Sequence, residues 1–91
     1  MRKVKRFLWD AWNVGHIARH RVTPEEAEEA FQNEPLFLKG RGGTHVALGR
    51  TDAGRLLTVI YVVRPGGRVY VVTARDMDRK ERRRYRRERG R

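Results

Sequence analysis

The chain has 91 residues, no cysteine, and 22 lysines and arginines against 11 aspartates and glutamates, a formal net charge of +11. That length suits one domain with one modest core, and the lack of cysteine excludes disulfides and thiolate zinc sites. A hydrophobic fraction of 38% beside 36% charged residues is too polar for a membrane protein, yet apolar runs such as residues 56–63 exclude full disorder.

Residues 7–9 read as a brief edge strand, and Asp10 is the expected N-cap of a helix over residues 11–20. At about 100° per residue, Ala11, Val14, Ile17 and Ala18 share one arc, with Asn13, His16 and His20 on another. Thr23-Pro24-Glu25-Glu26 opens a second helix. Thr23 caps it, Pro24 occupies its first turn, and Glu26 completes a capping box. Its apolar stripe is Ala27, Ala30 and Phe31, its glutamates suit the positive helix end, and Pro35 stops it. The period then changes. Residues 36–38 and 45–48 read as strands around a turn at 40–43, and residues 56–63 are apolar almost throughout, as in a central strand buried on both faces. Pro65-Gly66-Gly67 makes a hairpin turn before an alternating strand at 68–74. Asp78 with Glu81 repeats the capping-box pattern and opens a terminal helix of about three turns. That helix can dock only through Met77, Glu81 and Tyr85, and the tail from about residue 86 is expected to fray. The order β-α-α-β-β-β-β-α predicts a single α+β domain over residues 1–91. It has one mainly antiparallel sheet of about four strands, two N-terminal helices and a C-terminal helix.

The charge is uneven. Residues 75–91 carry ten basic and four acidic side chains, and residues 1–22 six basic ones against Asp10 alone. Residues 24–34 hold five glutamates and no basic residue. Arginine outnumbers lysine 18 to 4. Its planar fork suits bidentate phosphate contacts and base stacking, so nucleic acid is the favoured partner. A coding preference for arginine would account for the same numbers as plain surface charge. A membrane partner is disfavoured, because the basic tail lacks an apolar face to insert and no window holds the roughly 18 apolar residues of a span. The basic start, residues 1–6, lacks the apolar stretch of a secretory signal, and a cytoplasmic location is expected.

His16 and His20 have the spacing of a helical metal pair, but His45 is the only other histidine. Bonding to neighbouring loops is the simpler reading and acid–base work the third; no metal or other cofactor is expected. Arg50, Arg55, Arg64, Arg68 and Arg75 fall at strand ends or turns, as along one rim of a sheet. Cleaving RNA without a metal requires a base for the 2′-hydroxyl, an acid for the leaving oxygen, and cations for the pentavalent phosphate. Arg75, between a strand and the basic helix, is the most suggestive, although edge protection accounts for any single one. Glu81 has a structural task as the reciprocal cap. Tyr85 is either a core anchor or a hydroxyl reaching a cleft, and Trp9 and Trp12 are either core or base-stacking rings. Gly40-Arg41-Gly42-Gly43 lacks the strand–helix context of a phosphate loop. The chain contains no serine, which excludes a serine nucleophile.

Trp9-Asp10, Asn13-x-x-His16-Ile17-x-x-His20 and Val22-Thr23-Pro24-Glu25-Glu26-Ala27 together resemble the opening of the BrnT family. Gly49-Arg50 before the apolar strand, and Ala74-Arg75 with Glu81-Arg82 and Tyr85, resemble its later part. The resemblance implies a RelE-like fold and the toxin half of a type II toxin–antitoxin pair. It further implies a metal-independent endoribonuclease, cleaving RNA by 2′-hydroxyl attack and neutralised by a small antitoxin. In that family the antitoxin is commonly a ribbon-helix-helix protein, and the complex represses its own operon by binding operator DNA. It also implies catalytic roles for Arg50, Arg75, Glu81 and Tyr85, with His16 or His20 as proton carriers. Arg64, Arg68, Arg79, Arg82 and Arg83 are the candidate nucleic-acid contacts. Two positions depart from the family pattern: Asn13 stands where members often carry lysine, and Arg21 where they have glycine, at an expected left-handed turn. The alternative is a non-catalytic nucleic-acid-binding or inactive toxin-like module acting in operon autoregulation with its partner.

Overall fold

In the computed structural model, which describes residues 6–89, each of the three capping signals opens a helix. In α1 (Ala11–Ala18) the Asp10 carboxylate accepts from the Asn13 N–H at 3.0 Å while the Asn13 side chain accepts from the Asp10 N–H at 2.8 Å. Thr23 and Glu26 exchange the same pair of bonds at the start of α2 (Pro24–Gln32). Asp78 and Glu81 do so at α3 (Arg79–Glu88). Each box satisfies N–H groups that a short helix would otherwise leave without partners.

Helix α1 is shorter than its sequence pattern and is rolled differently. It ends at Ala18; the chain then turns through Arg21 at φ 58°, and the Val22 N–H returns to the Ile17 carbonyl at 3.2 Å. Arg21 thus occupies a left-handed position without being glycine. Asn13 and Ile17 are the buried residues of α1, whereas Ala11, Val14 and Ala18 face outward. The Asn13 amide donates to the carbonyls of Leu8 and Val71, each at 3.0 Å. A polar side chain can be buried when its donors are satisfied, and this tie fixes the roll.

The strands are β1 (Phe7–Leu8), β2 (Leu36–Lys39), β3 (His45–Arg50), β4 (Leu56–Arg64) and β5 (Arg68–Asp76). They form one sheet in the order β1-β5-β4-β3-β2, five strands rather than about four. From β2 to β5 each strand pairs antiparallel with the next, and β1 joins β5 in parallel, Phe7 opposite Val69 and Leu8 opposite Tyr70. The apolar β4 is central, as its composition predicts. Its Leu57, Val59 and Tyr61 pack under α1 and α2 with Ile17, Val22, Ala27, Ala30 and Phe31. Phe31 meets Phe7 and Tyr61 edge to face at 5.4 and 4.9 Å, contacts worth about 0.5–1.5 kcal/mol each beyond area. Gly49 lies against the Ala30 carbonyl, where any Cβ would overlap it. On the other face Tyr85 of α3, with Met77 just before the helix, packs onto Leu48, Leu36 and Leu56. Helix α3 continues to Glu88. The basic start (residues 1–5) and the end of the tail (residues 90–91) lie outside the described residues. Among those described, no helix is long and apolar enough to cross a membrane.

Candidate active site

Strand β1 stops at Leu8, so beyond Tyr70 the outer edge of β5 has no strand neighbour among the described residues. Arg75 stands near the end of that edge, opposite Thr58 of β4. Its Nη1 and Nη2 donate to Glu81 Oε1 and Oε2 at 2.8 and 3.0 Å, a bidentate pair. Glu81 Oε1 also accepts from the Thr58 hydroxyl at 2.8 Å and the Asp78 N–H at 2.9 Å. Burial pushes the Glu81 carboxyl up, but Arg75, Asp78 and Thr58 outweigh it and lower it to about 2. Such a group is a weak base near neutral pH; it orients the guanidinium. The Glu81 bond in turn raises Arg75 above its ordinary value.

Two hollows meet at Arg75. On the α3 face a groove of about 400 Å³ has Val46 and Ile60 as its floor, with Arg41 on one wall and the Arg75–Glu81 pair on another. Around the β5 edge a second hollow of about 370 Å³ is lined by Arg19, His20, Arg21, Arg75 and Asp76. His20 and Arg75 come from opposite halves of the chain, and the fold brings them to one cavity.

Arg55 places the histidine. Its Nη2 donates to the His20 carbonyl at 3.1 Å and its Nη1 to the Arg21 carbonyl at 2.7 Å. It also forms ion pairs with Glu26 at 3.2 Å and Asp76 at 2.8 Å. The bond from Arg55 lowers the Asp76 carboxyl below its ordinary value. One guanidinium therefore ties the turn after α1 to the start of α2 and the end of β5, and supports the left-handed Arg21 through its carbonyl.

Residues 9–81 match the family described as "Ribonuclease toxin, BrnT, of type II toxin-antitoxin system". The chain belongs to the BrnT family. No curated protein matches it. A BrnT protein is a ribonuclease toxin with a cognate antitoxin as its partner, which favours a ribonuclease over a module that only binds nucleic acid. The match takes in His20, Arg75 and Glu81 and leaves most of α3 outside.

Around this BrnT cavity the other expected residues separate. The single rim of arginines does not form. Arg50 and Arg55 lie at the Arg75 end of the sheet, whereas Arg64 and Arg68 flank the β4–β5 hairpin. That hairpin is six strand residues from Thr58, roughly 20 Å away. There Arg64 lies over the Tyr70 ring at 4.9 Å and Arg68 Nε donates to the Pro65 carbonyl at 3.0 Å. Arg50 is exposed, lines neither hollow, and offers its carbonyl to Asn33. Tyr85 is buried with Leu48 and Met77 and lines neither hollow. Arg79, Arg82 and Arg83 with Arg86 surround a third hollow of about 370 Å³ on α3. None of the four forms an ion pair among the described residues. Asn13 is fully buried and holds α1 to β1 and β5.

His16 lies outside the His20 hollow, stacked on Trp12. Trp9 is half-buried, with its Nε1 donating to Glu28 at 2.8 Å. Among the described residues no three His, Asp or Glu side chains gather as metal ligands. Sequence reasoning missed Arg19, Arg21 and Arg41 as lining residues. The signals for the first two were their places either side of His20, and Arg41 sits in a turn set aside for lacking phosphate-loop context.

Proposed function

We propose that the chain is an endoribonuclease that works without a metal. The 2′-hydroxyl of RNA attacks the adjacent phosphorus and displaces the 5′-oxygen in the hollow between His20 and Arg75. What supports this reading is that His20 and Arg75 line one cavity, with the guanidinium held by two bonds to Glu81. Arg75 bears the negative phosphate of the transition state through its remaining donors, Glu81 orients it, and His20 takes the 2′-hydroxyl proton and returns it to the departing 5′-oxygen. Arg19 and Arg21 contact flanking phosphates, as does Arg50 at the same end of the sheet. Support for Tyr85 as a catalytic group is weaker because of its burial, and support for His16 because its ring lies outside the cavity. Arg79, Arg82 and Arg83 make a basic stripe that suits RNA outside the cavity or an acidic segment of the antitoxin. The antitoxin is a small ribbon-helix-helix protein that neutralises the enzyme in the cytoplasm, and the complex represses its operon through operator DNA.

Incubating the purified chain with RNA and with ribosome-bound messenger tests the reading. Arg75→Ala is expected to lower cleavage by about 10²–10³-fold and His20→Ala by about 10²–10⁴-fold, with the circular dichroism of both unchanged. In cells, expression alone is expected to arrest growth and co-expression of the antitoxin to restore it. A folded wild-type chain that cuts neither substrate sinks the proposal.

A further inference from the structure

Among the described residues Trp12 is the most exposed of the large apolar side chains, at 57%. Its indole lies parallel to the His16 ring, with centroids 4.8 Å apart and planes 8° from each other. The His16 ring in turn meets the His20 ring edge-on at 6.2 Å. Residues 12, 16 and 20 recur at one-turn spacing, so the three rings form a row along one side of α1 and the turn that follows. The row ends in the hollow that His20 shares with Arg75. Histidine supports one face of the indole, and the exposure of Trp12 leaves the other open. The charges around the row are mainly cationic: Arg19, Arg21 and Arg75 line its far end. Of the acids nearby, Asp10 is engaged by Tyr70 and by the helix cap, and Asp76 is paired with Arg55.

We propose that the Trp12–His16 stack is a platform for a base of the single-stranded RNA that flanks the cleaved step. This rests on the ribonuclease reading above. A flat, supported aromatic face open on one side matches the face of a nucleobase, and a cationic hollow at the end of the row fits the phosphate that follows. An antitoxin segment covering the indole is the competing occupant.

The probe is a short 2′-O-methyl oligoadenylate, which has no free 2′-hydroxyl and so binds without being cut. Titrated into the full chain, it is expected to quench indole emission. Trp12→Ala is expected to abolish most of that quench and weaken binding about 5- to 150-fold, while Trp12→Phe retains most of the affinity and Trp12→Leu does not. The loss should persist at high salt, unlike the loss from an arginine. On cleavable RNA, Trp12→Ala should raise KM by a similar factor at little changed kcat. If Trp12→Ala binds the oligonucleotide as tightly as the wild type, the platform is overturned while cleavage by the wild type leaves the ribonuclease reading standing. If it loses the antitoxin and keeps its RNA affinity, the surface belongs to the antitoxin and the platform is likewise overturned. If the oligonucleotide stacks on Trp12 and the wild type never cuts RNA, the platform stands and the ribonuclease reading falls.

Discussion

Glu81 accepts from Arg75 on both oxygens, and from Thr58 and the Asp78 N–H on one of them. Because these bonds hold the carboxyl at about 2 against an ordinary value of 4.5, folding favours its charged form. The resulting stability is fully present above about pH 4.5 and is lost as the pH falls through that value toward about 2. Glu81→Gln removes this titration and is expected to flatten the acid limb of stability against pH. At neutral pH it should cost about 1.5–3 kcal/mol, because the charge-assisted pair with Arg75 is lost. Urea unfolding across the acid range measures both, and a variant with the wild-type acid slope contradicts the assignment. The Asp78–Glu81 box was legible in the sequence because it is local, two residues at a fixed spacing. That Arg75 and Thr58 share the same carboxylate was not, since it depends on the register that sets Thr58 opposite Arg75 across β4 and β5. Asn13 was misplaced for a different reason. A hydrophobic period counts apolar residues, and an amide satisfied by the carbonyls of Leu8 and Val71 is invisible to it.

At the scale of elements, Arg55 is the residue on which the cavity depends without lining it. Arg55→Ala severs the ties to Glu26 and Asp76 and to the carbonyls of His20 and Arg21. The expected loss is about 1–3 kcal/mol of stability together with a fall in kcat, because the turn that carries His20 is released. Arg55→Lys should not restore either, since an ammonium cannot span partners held by a planar fork. Thermal melts and cleavage rates check this; a variant with reduced stability and unchanged kcat contradicts the positioning role. The elements themselves were mostly legible. Helices α2 and α3 begin where their caps predict, and β2 to β5 fall close to their expected residues, because caps, Pro35 and the Pro65-Gly66-Gly67 turn act locally. Helix α1 departed in length and roll, both set by distant partners: Arg55 for the turn and Val71 for Asn13.

Across the whole molecule the net charge of +11 resolves into separate surfaces. One is the α3 stripe, another the hairpin end with Arg64 and Arg68, and a third the cavity with Arg19, Arg21 and Arg75. Binding of single-stranded RNA should weaken with salt at a slope near 0.7 per phosphate contact. Replacing Arg79 and Arg83 together by alanine is expected to reduce that slope by about 1.4. An unchanged slope would reserve the stripe for the antitoxin. The fold class was legible from the switch of period between helices and strands, and residues 7–9 read as a brief edge strand, but the sheet was expected to have about four strands. That β1 joins it depends on a parallel partner, Val69, some sixty residues on, which no local signal marks. That pairing has a consequence in time. Strands β2 to β5 close by successive hairpins, which form early, whereas Phe7 finds Val69 only by closing most of the chain, a late event in folding. Asn13 bonds to Leu8 and Val71 across that same closure, so α1 and the His20 turn that follows it settle against β5 only once this late step is complete.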